Sequence, residues 1–459
     1  MKPFKNTALA AAVSLSTALM AGQAHAAGFA LMEKDATGLG QAYANLATGN
    51  GESSGLVGNP AAMTQIEGTA VSGGLAYIRP SFELQSGATA SRVGPPGLEG
   101  DIADATGLGG DAGSSAVIPN FSIVHQLNDR TRVGMAVTVP FGLATEYNDG
   151  WLGRYHGVES HVEVVELNPA LSFDVTPQWT LGGGLTVQYA EATLTSAIDG
   201  GAACTAAEAQ GDVPPGTCAA SSLSPGTTAS DGHVEVEGDD WSIGYNVGVL
   251  WRPLKTTRVG VSFRSGLDHN LKGDADYDMP APLNAFPTFA DNSVQAGLDL
   301  PTTVAASLTH QFSDTFTGSF GLLWTGWSSF EELRVEQSGA GQDDIVTTEN
   351  WDDTLRVALG GEWQVAPRWT LRAGAAYDPT PVPSAEFRTA RLPDADRTWA
   401  SVGLGYEISK QWSVDVGYTH IWMNDSTIDN TTESAIPNNL SGQYRGKVDI
   451  LGLQLNAHF

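Results

Sequence analysis

The residues able to do chemistry are few and do not form a familiar constellation. Nine histidines and many hydroxyl side chains are present, yet none sits in a nucleophile motif. A serine–histidine hydrolase therefore has only the possibility of convergence in space behind it. Cys204 and Cys218 are the only cysteines and lie in a segment rich in Gly, Ala, Ser and Pro. In an oxidising compartment they can close a small loop, whereas zinc would want more ligands nearby, so a disulfide staple is expected and no metal. Gly38-Leu39-Gly40 falls far short of a phosphate-binding loop, and no cofactor is implied. Arg264 and Arg334 are candidates to hold an acidic head group, with the alternative that each is an internal ion-pair partner.

Charge narrows the field further. The chain carries 23 basic and 51 acidic side chains, a formal net charge of -28. Nucleic acid is excluded as a partner, because phosphate binding rests on a basic surface.

The elements that would position these residues are strands. Residues 1–26 hold Lys2 and Lys5, an apolar stretch and Ala24-His25-Ala26, which reads as a cleaved secretory leader. No later stretch is long and apolar enough for a spanning helix. From residue 69 onward period-two alternation recurs. Over 369–377, Trp369, Leu371, Ala373, Ala375 and Tyr377 share one face, against Thr370, Arg372, Gly374 and Ala376. The segments 179–189 and 412–420 repeat the pattern, with aromatic residues at both ends of the apolar face. Trp and Tyr favour the headgroup level of a bilayer, so this face suits lipid and the other a polar lumen.

Fourteen such strands are expected, near 69–84, 116–127, 131–144, 160–175, 179–195, 233–252, 257–272, 300–312, 316–333, 351–365, 369–379, 396–409, 411–424 and 442–459. Their links alternate strictly between long and short. That is the asymmetry of an outer-membrane barrel, with long outer loops and short periplasmic turns, and a soluble sandwich gives no reason for it. The fold class is thus all-β, a 14-stranded antiparallel transmembrane barrel over 69–459. A terminal strand ending Leu455, Ala457, Phe459 resembles the signal read by the barrel assembly machinery.

Residues 27–68 lack strand-like runs and, starting from the periplasmic rim, are expected to fold into the lumen as a hatch; a loose periplasmic tail is the alternative. Within the third strand, Pro140 cannot donate a ladder hydrogen bond and Gly142 tolerates sharp turns. A local break is expected there, either an inward kink or a bulge at the outer rim.

The ordered series Ala27-Gly28-Phe29, Gly38-Leu39-Gly40-Gln41-Ala42-Tyr43, Asn59-Pro60-Ala61, Pro140-Phe141-Gly142-Leu143-Ala144-Thr145-Glu146-Tyr147, Gly153-Arg154-Tyr155, Leu167-Asn168-Pro169, Trp324-Thr325-Gly326-Trp327-Ser328 and Pro393-Asp394-Ala395-Asp396-Arg397 resembles the FadL family of outer-membrane long-chain fatty acid transporters. The resemblance spans nearly the whole chain after residue 26. It implies a passive channel whose third strand bends inward and leaves a lateral opening at Pro140, Phe141, Gly142 and Ala144. It also implies a hatch fixed by Asn59, Pro60 and Ala61, with Phe29 reaching toward an internal pocket. The expected partners are a long-chain fatty acid or an aromatic or aliphatic hydrocarbon, outer-membrane lipid and lipopolysaccharide, with the chain acting as a monomer. A general diffusion porin and a structural adhesin are the non-enzymatic alternatives. The loop residues Leu283, Phe286 and Phe289 are expected either to line an outer groove or to pack loop on loop.

Overall fold

The computed structural model describes residues 28–94, 98–339 and 341–459, so the expected leader lies outside the described residues. Fourteen antiparallel strands close into a barrel. They are β1 Thr69–Leu84, β2 Ala116–Asn128, β3 Thr131–Glu146, β4 Glu159–Asp174, β5 Trp179–Ile198 and β6 Gly232–Leu254. Then follow β7 (Thr257–Arg264 and Leu267–Asp278), β8 (Asn292–Leu300 and Thr303–Gln311), β9 (Phe316–Thr325 and Glu332–Gln337) and β10 (Ile345–Thr348 and Thr354–Ala366). The circuit ends with β11 Trp369–Asp378, β12 Arg397–Glu407, β13 (Trp412–Met423 and Ser426–Thr431) and β14 Asn438–His458. Closure is made by β1 on β14, in register from Ala70↔His458 to Leu84↔Tyr444. Closure leaves no open sheet edge around the circuit as a whole, which a wall in hydrocarbon requires.

Alternation decides which side chains meet lipid. Leu181, Leu185, Leu359, Leu371, Val402, Leu451 and Leu453 are exposed on the outer face. Trp179, Trp251, Trp363, Trp369 and Trp412 ring the short-turn end, and Tyr77, Trp241, Tyr377 and Trp422 ring the other. From Trp251 to Trp241 the strand climbs roughly 33 Å at about 3.3 Å per residue, which a tilt of ~40° converts to about 25 Å of apolar band. On the inner face, Arg372 donates to Glu362 at 2.7 Å and to Asp415 at 2.5 Å, so this lumen cation is paired twice.

Several strands outlast the sequence pattern. β7 runs to Asp278 and β8 begins at Asn292, inside the stretch 273–299 that reads as a loop. Beyond the membrane both faces of a hairpin are wet, so the alternation that marks a lipid-facing strand is absent there. The opposite correction applies at 316–333, which reads as one strand. Here Gly326–Glu331 leave the ladder and the short turn Trp327–Ser329 folds inward. Matching interruptions fall at Ser265–Gly266, Pro301–Thr302 and Glu349–Asp353.

The described residues 28–68 pack inside the lumen. Their path is fixed by hatch atoms, main-chain and side-chain, lying directly on wall glycines. A Cβ on Gly248 would come within 1.9 Å of Asn59 Oδ1, and one on Gly260 within 1.9 Å of the Ala47 carbonyl oxygen. Asn59 caps the short helix Pro60–Gln65 by accepting from the Ala61 amide at 2.9 Å. Its own amide donates to the carbonyls of Ala47 at 2.7 Å and Val249 at 3.2 Å. Asn59, Pro60 and Ala61 thus tie the hatch to itself and to the wall, and all three are buried.

Candidate functional site

The break in β3 is built from a missing donor and an extra residue. Pairing of β2 with β3 runs from the periplasmic turn up to Phe121↔Val137 and goes no further along the strands. On its other side β3 pairs with β4, but the register slips by one residue between Thr138 and Phe141, across Val139 and Pro140. Above this bulge residues 138–145 lose in-out alternation, apart from half-buried Pro140, and are buried on both faces. That is what an inward displacement produces. Only at Gly113↔Thr145 does a single bridge restore contact with the segment before β2.

The hatch end covers the edge that β2 has left. Ala30 bridges Phe141, the Leu31 amide donates to the Pro140 carbonyl at 2.8 Å, and the Gly142 amide donates to the Phe29 carbonyl at 2.9 Å. An unmet amide here would cost several kcal/mol in an apolar setting. A second thin stretch of wall lies between β6 and β7, where the ladder lapses between Asp239↔Lys272 and Asn246↔Arg264. There the Ser265 amide donates to the Tyr245 carbonyl, and the Ser265 hydroxyl and the Asp240 carboxylate accept from the Tyr245 and Asn270 amides. The seam is laced by its own side chains and needs no hatch.

Phe29 projects from this junction into a cage of four rings. Its centroid lies 5.8 Å from Phe141, 5.1 Å from Trp327, 5.6 Å from Phe330 and 5.8 Å from Trp351, mostly tilted or edge-on, as aromatic quadrupoles prefer. Trp327 and Trp351 come from the segments that fold inward at the interruptions of β9 and β10. Gly28 fits between them, since a Cβ would meet Trp351 at 2.7 Å and Trp327 at 2.8 Å. The Gly28 amide donates to Asp394 at 3.1 Å, and Asp394 is itself gripped by Arg397 and by Thr380. The sequence Pro393-Asp394-Ala395-Asp396-Arg397 therefore anchors the hatch end.

Beside Phe29 lies a cavity with about 70 Å³ of free space, walled by Leu143, Val162, Leu194, Leu271, Leu298 and Leu392 among others. Its polar groups are Glu237, Glu349, Thr389 and Arg391. Arg391 donates to the Glu159 carbonyl at 3.1 Å and to Ser160 Oγ at 3.0 Å. Loss of water lowers its pKa to about 10, which leaves it charged at neutral pH. Glu349 accepts from the Trp351 indole at 2.8 Å, and burial raises its carboxyl to about 8 against the opposing pull of that bond and of Arg391. Both residues lie on the loop side of the outer aromatic ring.

The two arginines singled out in the sequence are elsewhere. Arg264 clasps Glu166 at 2.5 Å and donates to the Val57 carbonyl at 3.1 Å, binding the hatch to the wall. Arg334 is spent on Glu332 and Asp344 at the surface, where it is 40% exposed. Neither lines the cavity. An internal ion pair is the lower-energy use of Arg264, because Glu166 is fully buried and would otherwise be an uncompensated charge. Leu283 packs with Cys204, Cys218 and Leu223, with Phe286 and Phe289 alongside, which is loop-on-loop packing rather than a groove into the cavity. Cys204 and Cys218 are joined in a disulfide. Among the described residues no three His, Cys, Asp or Glu side chains gather as a metal site.

Arg391, Glu349, Trp351 and Phe330 are among the cavity residues that escaped the sequence reading. Arg391 carries no signal beyond being basic in a loop. Trp351 and Phe330 do carry one, since bulky aromatics stand where the alternation fails. Pro119 was also missed: it lies on β2 along the stretch where pairing with β3 has ended, a position suited to a residue with no amide to donate.

A plugged barrel with an apolar internal cavity and a wall whose pairing lapses beside that cavity defines an outer-membrane transport protein for hydrophobic solutes. The comparisons agree. Residues 17–459 match the family model described as outer membrane protein transport protein (OMPP1/FadL/TodX), and the chain belongs to that family. It is 31% identical to the long-chain fatty acid transport protein of Salmonella typhi over 426 residues, covering 91% of this chain and 92% of the relative. It is 29% identical to the putative outer membrane protein NMB0088 of Neisseria meningitidis, covering 97% of each. The crystal structure of a Pseudomonas aeruginosa FadL homologue superposes with a TM-score of 0.82 at 26% identity, over 94% of this chain and 100% of that one. The Pseudomonas putida toluene transporter TodX, at 16% identity and a TM-score of 0.61 over 89% and 94%, shares the fold. The protein resides in the outer membrane of a Gram-negative bacterium.

Proposed function

We propose that this chain is a passive uptake channel for long-chain fatty acids, which occupy the cavity beside Phe29 and leave sideways into the bilayer between β2 and β3. The observation that carries this reading is the double role of residues 29–31, which fill one end of the cavity and cover the unpaired edge of β3. A ligand that displaces Phe29 removes the cover at the same moment. The free space of about 70 Å³ is under half of the ~150 Å³ that lets an apolar cavity take up benzene. A long chain therefore fits only if Phe29 moves. Each methylene taken from water gains about 0.8 kcal/mol, so a long acyl chain gains enough to offset exchange of one aromatic side chain. Lateral exit spares the chain an aqueous passage. Arg391, the only cation among the described residues of the cavity wall, is the head-group contact in place of Arg264 and Arg334.

A second reading, uptake of aromatic hydrocarbons, is favoured by one observation: the cage around Phe29 is aromatic on four sides. Uptake of radiolabelled oleate and toluene by a deletion strain carrying wild type or Arg391→Met separates the two. Fatty acid transport predicts oleate uptake that falls at least severalfold in the variant. Toluene uptake indifferent to the variant, with no oleate uptake in wild type, would replace the first reading by the second.

A further inference from the structure

The loop-side end of the cavity holds one arginine and one buried carboxyl. Arg391 keeps its charge among main-chain and hydroxyl acceptors. Glu349, 7% exposed, has its carboxyl on the Trp351 indole and its amide on the Glu331 carbonyl at 2.9 Å. The remaining acid on the wall, Glu237 of β6, is exposed and keeps its hydration. Behind Arg391, in the link from β3 to β4, stand Tyr147 and His156, both buried. Burial raises the Tyr147 phenol well above its ordinary range and lowers His156 to about 4, so both are neutral at physiological pH. Among the described residues, the buried charge balance at this end of the cavity is thus set by Arg391 and Glu349.

An ionised acidic ligand disturbs that balance. With Glu349 ionised as well, two carboxylates would stand in the field of one guanidinium in a space walled by Leu, Val and aromatic side chains, and the surplus buried charge would cost several kcal/mol. Protonating one acid removes the surplus. Resting on the reading of this cavity as the substrate site, we propose that Glu349 selects the ligand's head group by holding a proton whenever an anion is bound, so that anionic substrates bind the protonated form and draw a proton in wherever Glu349 would otherwise be ionised. Burial already holds Glu349 at about 8, close to the protonated state this requires. Linkage then fixes the sign. The anion binds well where Glu349 is protonated and progressively less well as pH rises through its titration, with a limiting slope of about tenfold per pH unit.

The test uses the full mature chain in a non-ionic detergent, with dodecyl sulfonate as a probe whose head group stays ionised and dodecanol as its uncharged counterpart. Calorimetry is expected to show sulfonate affinity falling at least ~10-fold between pH 7 and pH 9.5 in wild type, no such fall in Glu349→Gln, and dodecanol affinity flat in both. A wild-type measurement needs no variant to fold: at pH 8.5, in two buffers of different ionisation enthalpy, sulfonate binding should take up about three-quarters of a proton and dodecanol binding none. A flat wild-type profile, or a Glu349→Gln profile that follows the wild type, overturns the proposal while dodecanol binding keeps the cavity reading intact. Failure of both probes to bind overturns the cavity reading and the proposal with it.

Discussion

The carbonyl of Phe29 accepts the amide of Gly142 at 2.9 Å, so the residue whose ring fills the cavity also closes the backbone of the broken strand. One residue thus serves both the cavity and the wall. Proline at 140 makes the arrangement specific: β3 offers its carbonyl there and has no amide to satisfy, and the hatch supplies the matching donor from Leu31.

A covalent lock should therefore stop transport. Ala30 and Phe141 face each other as a pair flanked by the two hydrogen bonds, the narrow kind of antiparallel pairing whose Cα atoms stand about 4.5 Å apart. Cysteines at both positions are expected to cross-link on oxidation, with oleate uptake dropping to background and returning on reduction. Each single variant controls for loss of a side chain and for reduction of Cys204–Cys218. Undiminished uptake by a fully cross-linked barrel would remove Phe29 from the gate.

Truncating the plug should act in the opposite direction on affinity. Phe29→Ala empties the space among Trp327, Phe330 and Trp351, at a cost of about 3–5 kcal/mol if the site does not collapse. The melting temperature in detergent is expected to fall. Ligand affinity is expected to rise severalfold, because the resident ring no longer competes and the competent state is more populated. Brominated fatty acid, quenching the tryptophans of the cage, reads the affinity directly. Weaker binding would mean that Phe29 contacts the ligand rather than standing in for it.

Sequence disclosed the wall better than the cavity, for a physical reason. Lipid demands one apolar face, so strands such as Trp369–Asp378 and Trp412–Met423 print their boundaries in alternation and aromatic ends. The cavity makes no such demand. Trp327, Phe330, Glu349 and Trp351 stand where the wall folds inward and alternation stops, so their types were visible and their direction was not. The two inward arginines make the same point. Arg264 meets Glu166, a partner 98 residues away, and Arg391 reaches the cavity only because its loop turns inside; neither destination follows from composition or spacing. Pro140 was legible because its chemistry is local, a missing donor inside a strand.

The hatch seat offers a separate handle on leakage. A side chain at Gly248 must displace Asn59, whose amide is already committed to Ala47 and Val249. Gly248→Val is expected to leave the barrel folded, since β-branched residues suit strands, and to lift the hatch from that side. Single-channel conductance in planar bilayers should rise from near zero to resolvable openings. A silent Gly248→Val would show that the Asn59 contact is not what keeps the lumen shut.

β3 carries one residue more than β4 between Thr138 and Phe141. Deleting Pro140 restores a constant register with β4 and returns an amide to the strand, so residues 139–145 can continue the β2 ladder past Phe121↔Val137. Straightening moves the strand away from Phe29 and seals the wall at once. The expected outcome is a barrel that still folds, shown by heat-modifiable migration on gels, and that still binds dodecanol, yet takes up oleate at no more than roughly a tenth of the wild-type rate. Binding should survive because most of the cavity wall comes from strands other than β3. The contrast between retained binding and lost uptake is what distinguishes a sideways exit from passage through the lumen: a route down the barrel axis would leave uptake by the deletion variant unchanged.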